Sequence, residues 1–116
     1  MAKHNKLGKE GELIAFMVLQ RDGFTILETN WRFQKAEIDI IAKKDGFLIF
    51  TEVKTRGNKK FGKTSDAIAK KKIALYKNAV EGYLQQYPSE DGIRFDVVNI
   101  IIGKDETQLE HIPNAF

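Results

Sequence analysis

The chain has 116 residues, of which 42% are hydrophobic and 30% are charged, and its formal net charge is +3. This length and composition predict one globular domain spanning 1–116 and exclude a disordered chain. The chain contains no cysteine, which excludes disulfides and thiolate metal sites. No apolar run approaches the roughly 20 residues that cross a bilayer, so we expect a cytoplasmic protein that does not associate with membranes.

The first predicted elements are a helix and three strands. Residues 6–22 predict an amphipathic helix, because apolar side chains recur at three-to-four spacing. Gly23 supplies its end, since glycine accepts the left-handed conformation at a helix C-terminus. Three β-prone runs follow, at residues 24–28 with a continuation at 30–33, at 37–43 and at 47–55.

The second half of the chain predicts a long helix and a buried strand. The helix begins at a cap, Thr64 or Ser65, and runs to about Gln86 with one apolar stripe: Ala69, Ile73, Tyr76, Val80, Tyr83 and Tyr87. Residues 93–102 predict a strand buried on both faces, and residues 112–116 a short edge strand. A right-handed crossover through the long helix makes the third and fourth strands parallel. The predicted fold is therefore α/β, with a core in the order α-β-β-β-α-β and helices flanking a mixed sheet.

A two-residue turn at Asp45-Gly46 sets the register of the second and third strands. This pair suits a type I′ hairpin, in which Asp39 falls opposite Glu52. Lys54 falls opposite Glu37, on the same face as Glu52, because side chains alternate along a strand. A slip of one residue would move Asp39 to the other face, so this prediction depends on the register.

The facing acids predict a site for a hard cation. Two carboxylates ~4 Å apart repel each other by about 4 kcal/mol at an effective dielectric near 20. Mg²⁺ or Mn²⁺ bound to Asp39 and Glu52, with the Val53 carbonyl as a further ligand, would offset that repulsion. Lys54 would then hold or deprotonate an attacking water, or steady a charged phosphate. The alternative is a salt-bridge cluster in which Lys54 pairs with Glu37 or Glu52.

Basic residues are concentrated after the third strand. This segregation predicts a nucleic-acid-binding surface, which comprises Arg56, Lys59, Lys60, Lys63 and Lys72. A solvated loop and helix face would explain the same charges equally well. Elsewhere, Asp96 is predicted to be a buried partner of Arg94 or Arg32.

The strings Glu37-Ile38-Asp39-Ile40-Ile41 and Glu52-Val53-Lys54-Thr55-Arg56 resemble the D…(D/E)XK motif of the restriction-endonuclease-like superfamily. More narrowly, the chain resembles the bacterial YraN family of predicted endonucleases, which is similar to archaeal Holliday junction resolvases. The likeness covers nearly the whole chain and extends to the closing residues 114–116. It implies that Asp39 and Glu52 are metal ligands, that Lys54 is the catalytic lysine and that Glu12 is an additional acid. Ile38 departs from the motif, in which proline often stands at this position.

The expected activity is Mg²⁺- or Mn²⁺-dependent hydrolysis of phosphodiester bonds in DNA, with branched or junction DNA among the candidate substrates. A nucleic-acid-binding module with an unused nuclease site is the alternative, and an adaptor domain for a protein partner is a third interpretation. A resolvase that cuts two strands symmetrically requires a two-fold homodimer.

Overall fold

The computed structural model describes residues 2–57 and 70–115, and the side chains of residues 6–57 and 72–115. Its elements are α1 (Ala2–Arg21), β1 (Thr25–Phe33), β2 (Ala36–Lys44), β3 (Phe47–Arg56), α2 (Lys70–Gln86), β4 (Gly92–Ile102) and β5 (Thr107–Ile112). The predicted order of helices and strands is confirmed. The predicted start of the second helix, at Thr64 or Ser65, lies outside the described residues.

The strands form one mixed sheet in the order β1-β2-β3-β4-β5. β3 and β4 are parallel, as predicted, and the other three neighbouring pairs are antiparallel. The edge strand predicted over residues 112–116 is wrong in position, because β5 ends at Ile112. The next residue, Pro113, has no N–H to donate to a ladder.

Two turns have the backbone geometry that the sequence predicts. Gly23 has φ 95°, and its N–H donates to the Gln20 carbonyl while the Phe24 N–H donates to the Leu19 carbonyl. These two bonds form a Schellman motif that ends α1. In the β2–β3 hairpin, Asp45 and Gly46 have φ of 53° and 81°, and both positive values are those of a type I′ turn.

The helices cover opposite faces of the sheet. On the α1 face, Ala15 and Leu19 belong to one buried cluster with Ile40, Ile49 and Val98. On the α2 face, a second cluster is formed by Tyr76, Ala79, Val80 and Tyr83 with Ile38, Leu48 and Phe50. The result is a three-layer arrangement, which gives each helix one apolar side to bury.

The first helix lies unusually close to the end of β3. Gly11 is buried, and a Cβ at this position would overlap the side chain of Thr55. Only glycine therefore permits this approach, which brings the next residue, Glu12, beside the sheet. None of the helices within the described ranges is long and apolar enough to cross a membrane.

Candidate functional site

The ladder between β2 and β3 stops just before the two predicted acids. Pairing runs from Lys44 opposite Phe47 to Ile40 opposite Thr51, which confirms the predicted register. The predicted direct pairing of Asp39 with Glu52 is wrong, because the ladder ends at Ile40. The Val53 N–H instead donates to Oδ2 of Asp39 at 2.8 Å. A side-chain carboxylate thus takes the place of a backbone acceptor at this point.

The same point interrupts the alternation of side chains along β2. Ile38 and Ile41 both pack in the cluster on the α2 face, whereas Ile40 packs in the cluster on the α1 face. Strict alternation would place Ile38 and Ile40 together. The interruption lies at Asp39. Its side chain lines one cavity that is shared with residues of α1 and a second cavity that is shared with residues of both α1 and α2.

The environment of Asp39 favours its protonated form. Burial raises the pKa of this carboxyl, the Val53 N–H opposes the rise, and the nearby charges of Glu12, Glu52 and Glu37 add to it. The resulting pKa is about 7, against an ordinary value of 3.8. Asp39 is therefore protonated more readily than an ordinary aspartate, and a neighbouring cation would favour its carboxylate form.

Glu52 is buried and is held by two hydrogen-bond donors and one further ion pair. Its Oε1 accepts a hydrogen bond from the Tyr76 hydroxyl at 2.7 Å, and its Oε2 accepts one from Lys72 Nζ at 2.8 Å. Lys54 Nζ lies 3.6 Å from the same Oε2. Burial and the Glu52 charge raise the pKa of Tyr76, so its hydroxyl stays a donor. Glu52 is thus oriented by contacts with Tyr76, Lys72 and Lys54.

Lys54 shares a face with Glu52, as alternation predicts. Of the two salt bridges predicted as alternatives for Lys54, the one with Glu52 is present. The predicted position of Lys54 opposite Glu37 is wrong, because the β2–β3 ladder has already ended. Glu37 instead forms an ion pair with Arg32, at 3.7 Å.

Glu12 reaches the acidic residues from α1. Its Oε1 accepts a hydrogen bond from Asn30 Nδ2 at 3.0 Å, and Asn30 itself adopts a left-handed φ of 52°. Glu12 lines the same cavity as Asp39, although only the family resemblance, and no spacing rule, associated them in the sequence.

The acids share one cavity of about 360 Å³, hereafter the acidic cavity. Its lining includes four carboxylates, those of Glu12, Glu37, Asp39 and Glu52, and two ammonium groups, those of Lys35 and Lys72. Within residues 2–57 and 70–115, however, no three acidic or histidine side chains are already arranged as a metal site. The cavity therefore has the oxygen ligands that a hard cation requires. In this arrangement, the oxygens of Glu52 accept hydrogen bonds from Lys72 and Tyr76.

Only part of the predicted basic surface is described. Lys72 is beside Glu52 with 44% of its side chain exposed, and Arg56 is half-buried at the end of β3. Lys59, Lys60 and Lys63 lie outside the described residues. The grouping of these five residues on one surface therefore stays a prediction.

Two polar partners of the acids, Tyr76 and Asn30, had not been assigned from the sequence. Tyr76 was predicted as a member of an apolar stripe, and Lys72 as part of a predicted basic surface. Their separation of four residues places both on one side of a helix, which is the signal that could have associated them. Asn30 offers no comparable signal, because its contact with Glu12 joins residues of different elements.

Asp96 forms a separate buried cluster with a structural role. It accepts two hydrogen bonds from Arg94, each 2.9 Å long, one from the Asn114 N–H at 3.0 Å, and contacts His111 Nε2 at 2.7 Å. Burial alone would raise its pKa, but these partners lower it to about 2. The predicted pairing with Arg94 is confirmed, and Arg32 contacts Glu37 instead. Asp96 thus ties β5 and the following turn to β4.

Comparison with known proteins finds one family. A model described as the uncharacterised protein family UPF0102 matches residues 11–100. A UPF0102 protein of Flavobacterium psychrophilum is 46% identical over 116 residues, which cover 100% of this chain and 98% of that protein. One of Christiangramia forsetii is 45% identical with the same coverage, and one of Phocaeicola vulgatus is 40% identical, covering 96% of its own length. These matches include every residue of the acidic cavity.

Proposed function

This chain belongs to the UPF0102 family, the YraN family that its motifs resemble, and we propose that it is a divalent-metal-dependent nuclease that hydrolyses phosphodiester bonds in DNA. One observation carries the proposal. Asp39 is partly buried among three other carboxylates, with a pKa of about 7, at the end of a strand ladder. A sheet could hold an apolar residue at this position without that cost, and functional sites are where such shifts are common.

The donor chemistry of the acidic cavity fits Mg²⁺ or Mn²⁺. Mg²⁺ prefers oxygen ligands and usually binds through one or two carboxylates while keeping several waters, so a prearranged cluster of three acids is not required. Asp39 and Glu52 would hold the ion, the Val53 carbonyl would add an oxygen, and Glu12 would provide a further acid. When bound, the ion would activate water and offset phosphate charge.

The polar groups that contact the acids have positioning or reactive roles in this proposal. Tyr76 orients Glu52, Asn30 orients Glu12, and the Val53 N–H orients Asp39. Lys54, beside Glu52, is the group that we assign to the attacking water or to the scissile phosphate. Lys72 is the more exposed of the two lysines on Glu52, so it is the one that can turn toward a phosphate.

For DNA binding we assign the basic residues Arg56, Lys59, Lys60, Lys63 and Lys72. Phosphate contacts by such residues release counterions, so affinity should fall steeply with salt concentration. A Lys59→Ala, Lys60→Ala, Lys63→Ala triple variant should weaken binding and flatten that dependence. Unchanged binding by this variant would remove the DNA-binding part of the proposal.

A nucleic-acid-binding module with an unused nuclease site is the second candidate. It is favoured by one observation: both oxygens of Glu52 already accept hydrogen bonds from the protein, from Tyr76 and Lys72. Such a module would bind DNA and show no turnover when Mg²⁺ or Mn²⁺ is added.

The deciding experiment incubates purified protein with labelled four-way junction, single-stranded and duplex DNA, with EDTA or with Mg²⁺ or Mn²⁺. We expect metal-dependent cleavage that Asp39→Asn and Glu52→Gln abolish. Asp105→Asn is the matched control, because it removes one negative charge from the exposed turn between β4 and β5. Cleavage that persists in the Asp39 and Glu52 variants would reject the assigned chemistry.

A further inference from the structure

A second cavity lies on the α1 side of Asp39. It has a volume of about 310 Å³, and its lining includes Leu13 and Phe16 of α1 and Asn30 of β1. Glu12 and Asp39 line both this cavity and the acidic cavity. A ligand in the second cavity would therefore lie next to whatever occupies the first.

The lining indicates what kind of group would fit. Leu13 and Phe16 are apolar, Lys9 brings one ammonium group, and Glu12 and Asp39 offer carboxyl oxygens to the same space. Two carboxylates facing one ammonium group disfavour a phosphate here, where no metal ion is proposed to offset its charge, but they accept hydrogen bonds from neutral N–H groups. A neutral group with an apolar face and an edge that donates hydrogen bonds satisfies both requirements. Cytosine and adenine, with their exocyclic amino groups, are such groups.

The exposure of Leu13 gives independent support. This side chain lines the cavity and yet is 60% exposed, so a large part of its apolar surface is available to a ligand. Nucleic-acid-binding proteins place apolar and aromatic side chains against bases that have left the stack. A base inside a continuous duplex has no free face to offer.

We propose that this cavity binds one unpaired base of the DNA strand whose neighbouring phosphate lies at the acidic cavity. The identity of the polymer rests on the proposed function. The substrate class that this cavity favours is DNA with an unpaired nucleotide beside the scissile bond, as in single strands, bulges and branches. Continuous duplex is the disfavoured substrate.

The test measures binding in EDTA, where no metal-dependent cleavage interferes. The probes are fluorescein-labelled duplexes with a one-nucleotide bulge, which carries either cytosine or an abasic residue. Both probes have the same number of phosphates, so the difference between their dissociation constants isolates the base. We expect the cytosine bulge to bind at least about five-fold more tightly, the lower end of what stacking one base contributes.

Variants of the cavity lining test whether the difference between the two dissociation constants arises in this cavity. Leu13→Ala should bring the two dissociation constants together, and Phe16→Ala should do the same if circular dichroism shows that it folds. Met17→Ala is the matched control, because Met17 is 55% exposed on the same helix but is not part of the cavity lining. Equal binding of both bulges by the unaltered protein, or an equal effect of the Leu13 and Met17 variants, would overturn the inference.

The two proposals can fail separately. A base preference that depends on Leu13, without cleavage in Mg²⁺ or Mn²⁺, would support this cavity and reject the nuclease. Metal-dependent cleavage with no base preference in binding would keep the nuclease and reject this cavity.

Discussion

The replacement of Asp39 by asparagine should stabilise the protein at alkaline pH. An asparagine Oδ1 can still accept the hydrogen bond from the Val53 N–H, because the side chain keeps the same shape. The change removes a charge that burial and three neighbouring carboxylates oppose. A substitution at the centre of the proposed site is therefore expected to increase the free energy of unfolding.

The magnitude follows from proton linkage. The pKa of Asp39 is about 7 in the folded protein and 3.8 ordinarily. Between these pH values the folded protein binds more protons than the unfolded chain, so its stability falls as pH rises. The total loss by pH 8 is about 4 kcal/mol, at about 1.36 kcal/mol for each pH unit. Asp39→Asn avoids this loss, so its advantage should approach about 4 kcal/mol at pH 8 and vanish near pH 4.

Urea unfolding at pH 4, 6 and 8 measures the effect, with Asp105→Asn as the control for removing one exposed negative charge. The free-energy difference between Asp39→Asn and the unaltered protein should grow across this series, and the control should show no such growth. An Asp39 variant that is equally or less stable at pH 8, or a difference that does not change with pH, would refute the electrostatic description of the site.

Four further outcomes are expected. Addition of Mg²⁺ at about 100 times its dissociation constant should stabilise the unaltered protein by about 2.7 kcal/mol and leave Asp39→Asn unchanged, as thermal unfolding would show. The pKa of Asp96 is lowered to about 2, so its contribution to the free energy of unfolding is complete above about pH 4 and is lost as pH falls through 2. In acid unfolding, Asp96→Asn should not show this loss of stability. Gly11→Ala should destabilise the protein by roughly 1–3 kcal/mol, because its Cβ would overlap the Thr55 side chain of β3. Gly8→Ala should stabilise the protein by roughly 0.5–1 kcal/mol, because the space around its Cβ position is open. The urea midpoints of the two variants would show this difference. Tyr76→Phe should cost about 1–3 kcal/mol in the same assay, because it leaves an oxygen of buried Glu52 without its donor.

The local chemistry of the chain was sufficient to predict much of the fold. The Asp45-Gly46 turn determines the register of β2 and β3, and the pattern of the long helix followed by a β-branched strand predicts the parallel crossover. These features depend on neighbouring residues or on a single turn, so periodicity and turn chemistry are enough to find them.

The site itself depends on contacts that no local pattern specifies. The ladder ends at Ile40, and the Val53 N–H donates to the Asp39 carboxylate instead of to a backbone carbonyl. Strand periodicity does not predict this replacement of a backbone acceptor by a side chain. Glu12 reaches the site because Gly11 lets α1 approach β3, and Tyr76 reaches it across the sheet–helix interface. Such contacts follow from how the layers pack.

Anomalous diffraction from crystals soaked in Mn²⁺ would test the central claim most directly. We expect a peak within coordination distance of the carboxylates of Asp39 and Glu52, and Lys72 Nζ displaced from its present 2.8 Å contact with Glu52. A map without a peak there, with Lys72 and Tyr76 still bound to Glu52, would contradict the proposed metal chemistry.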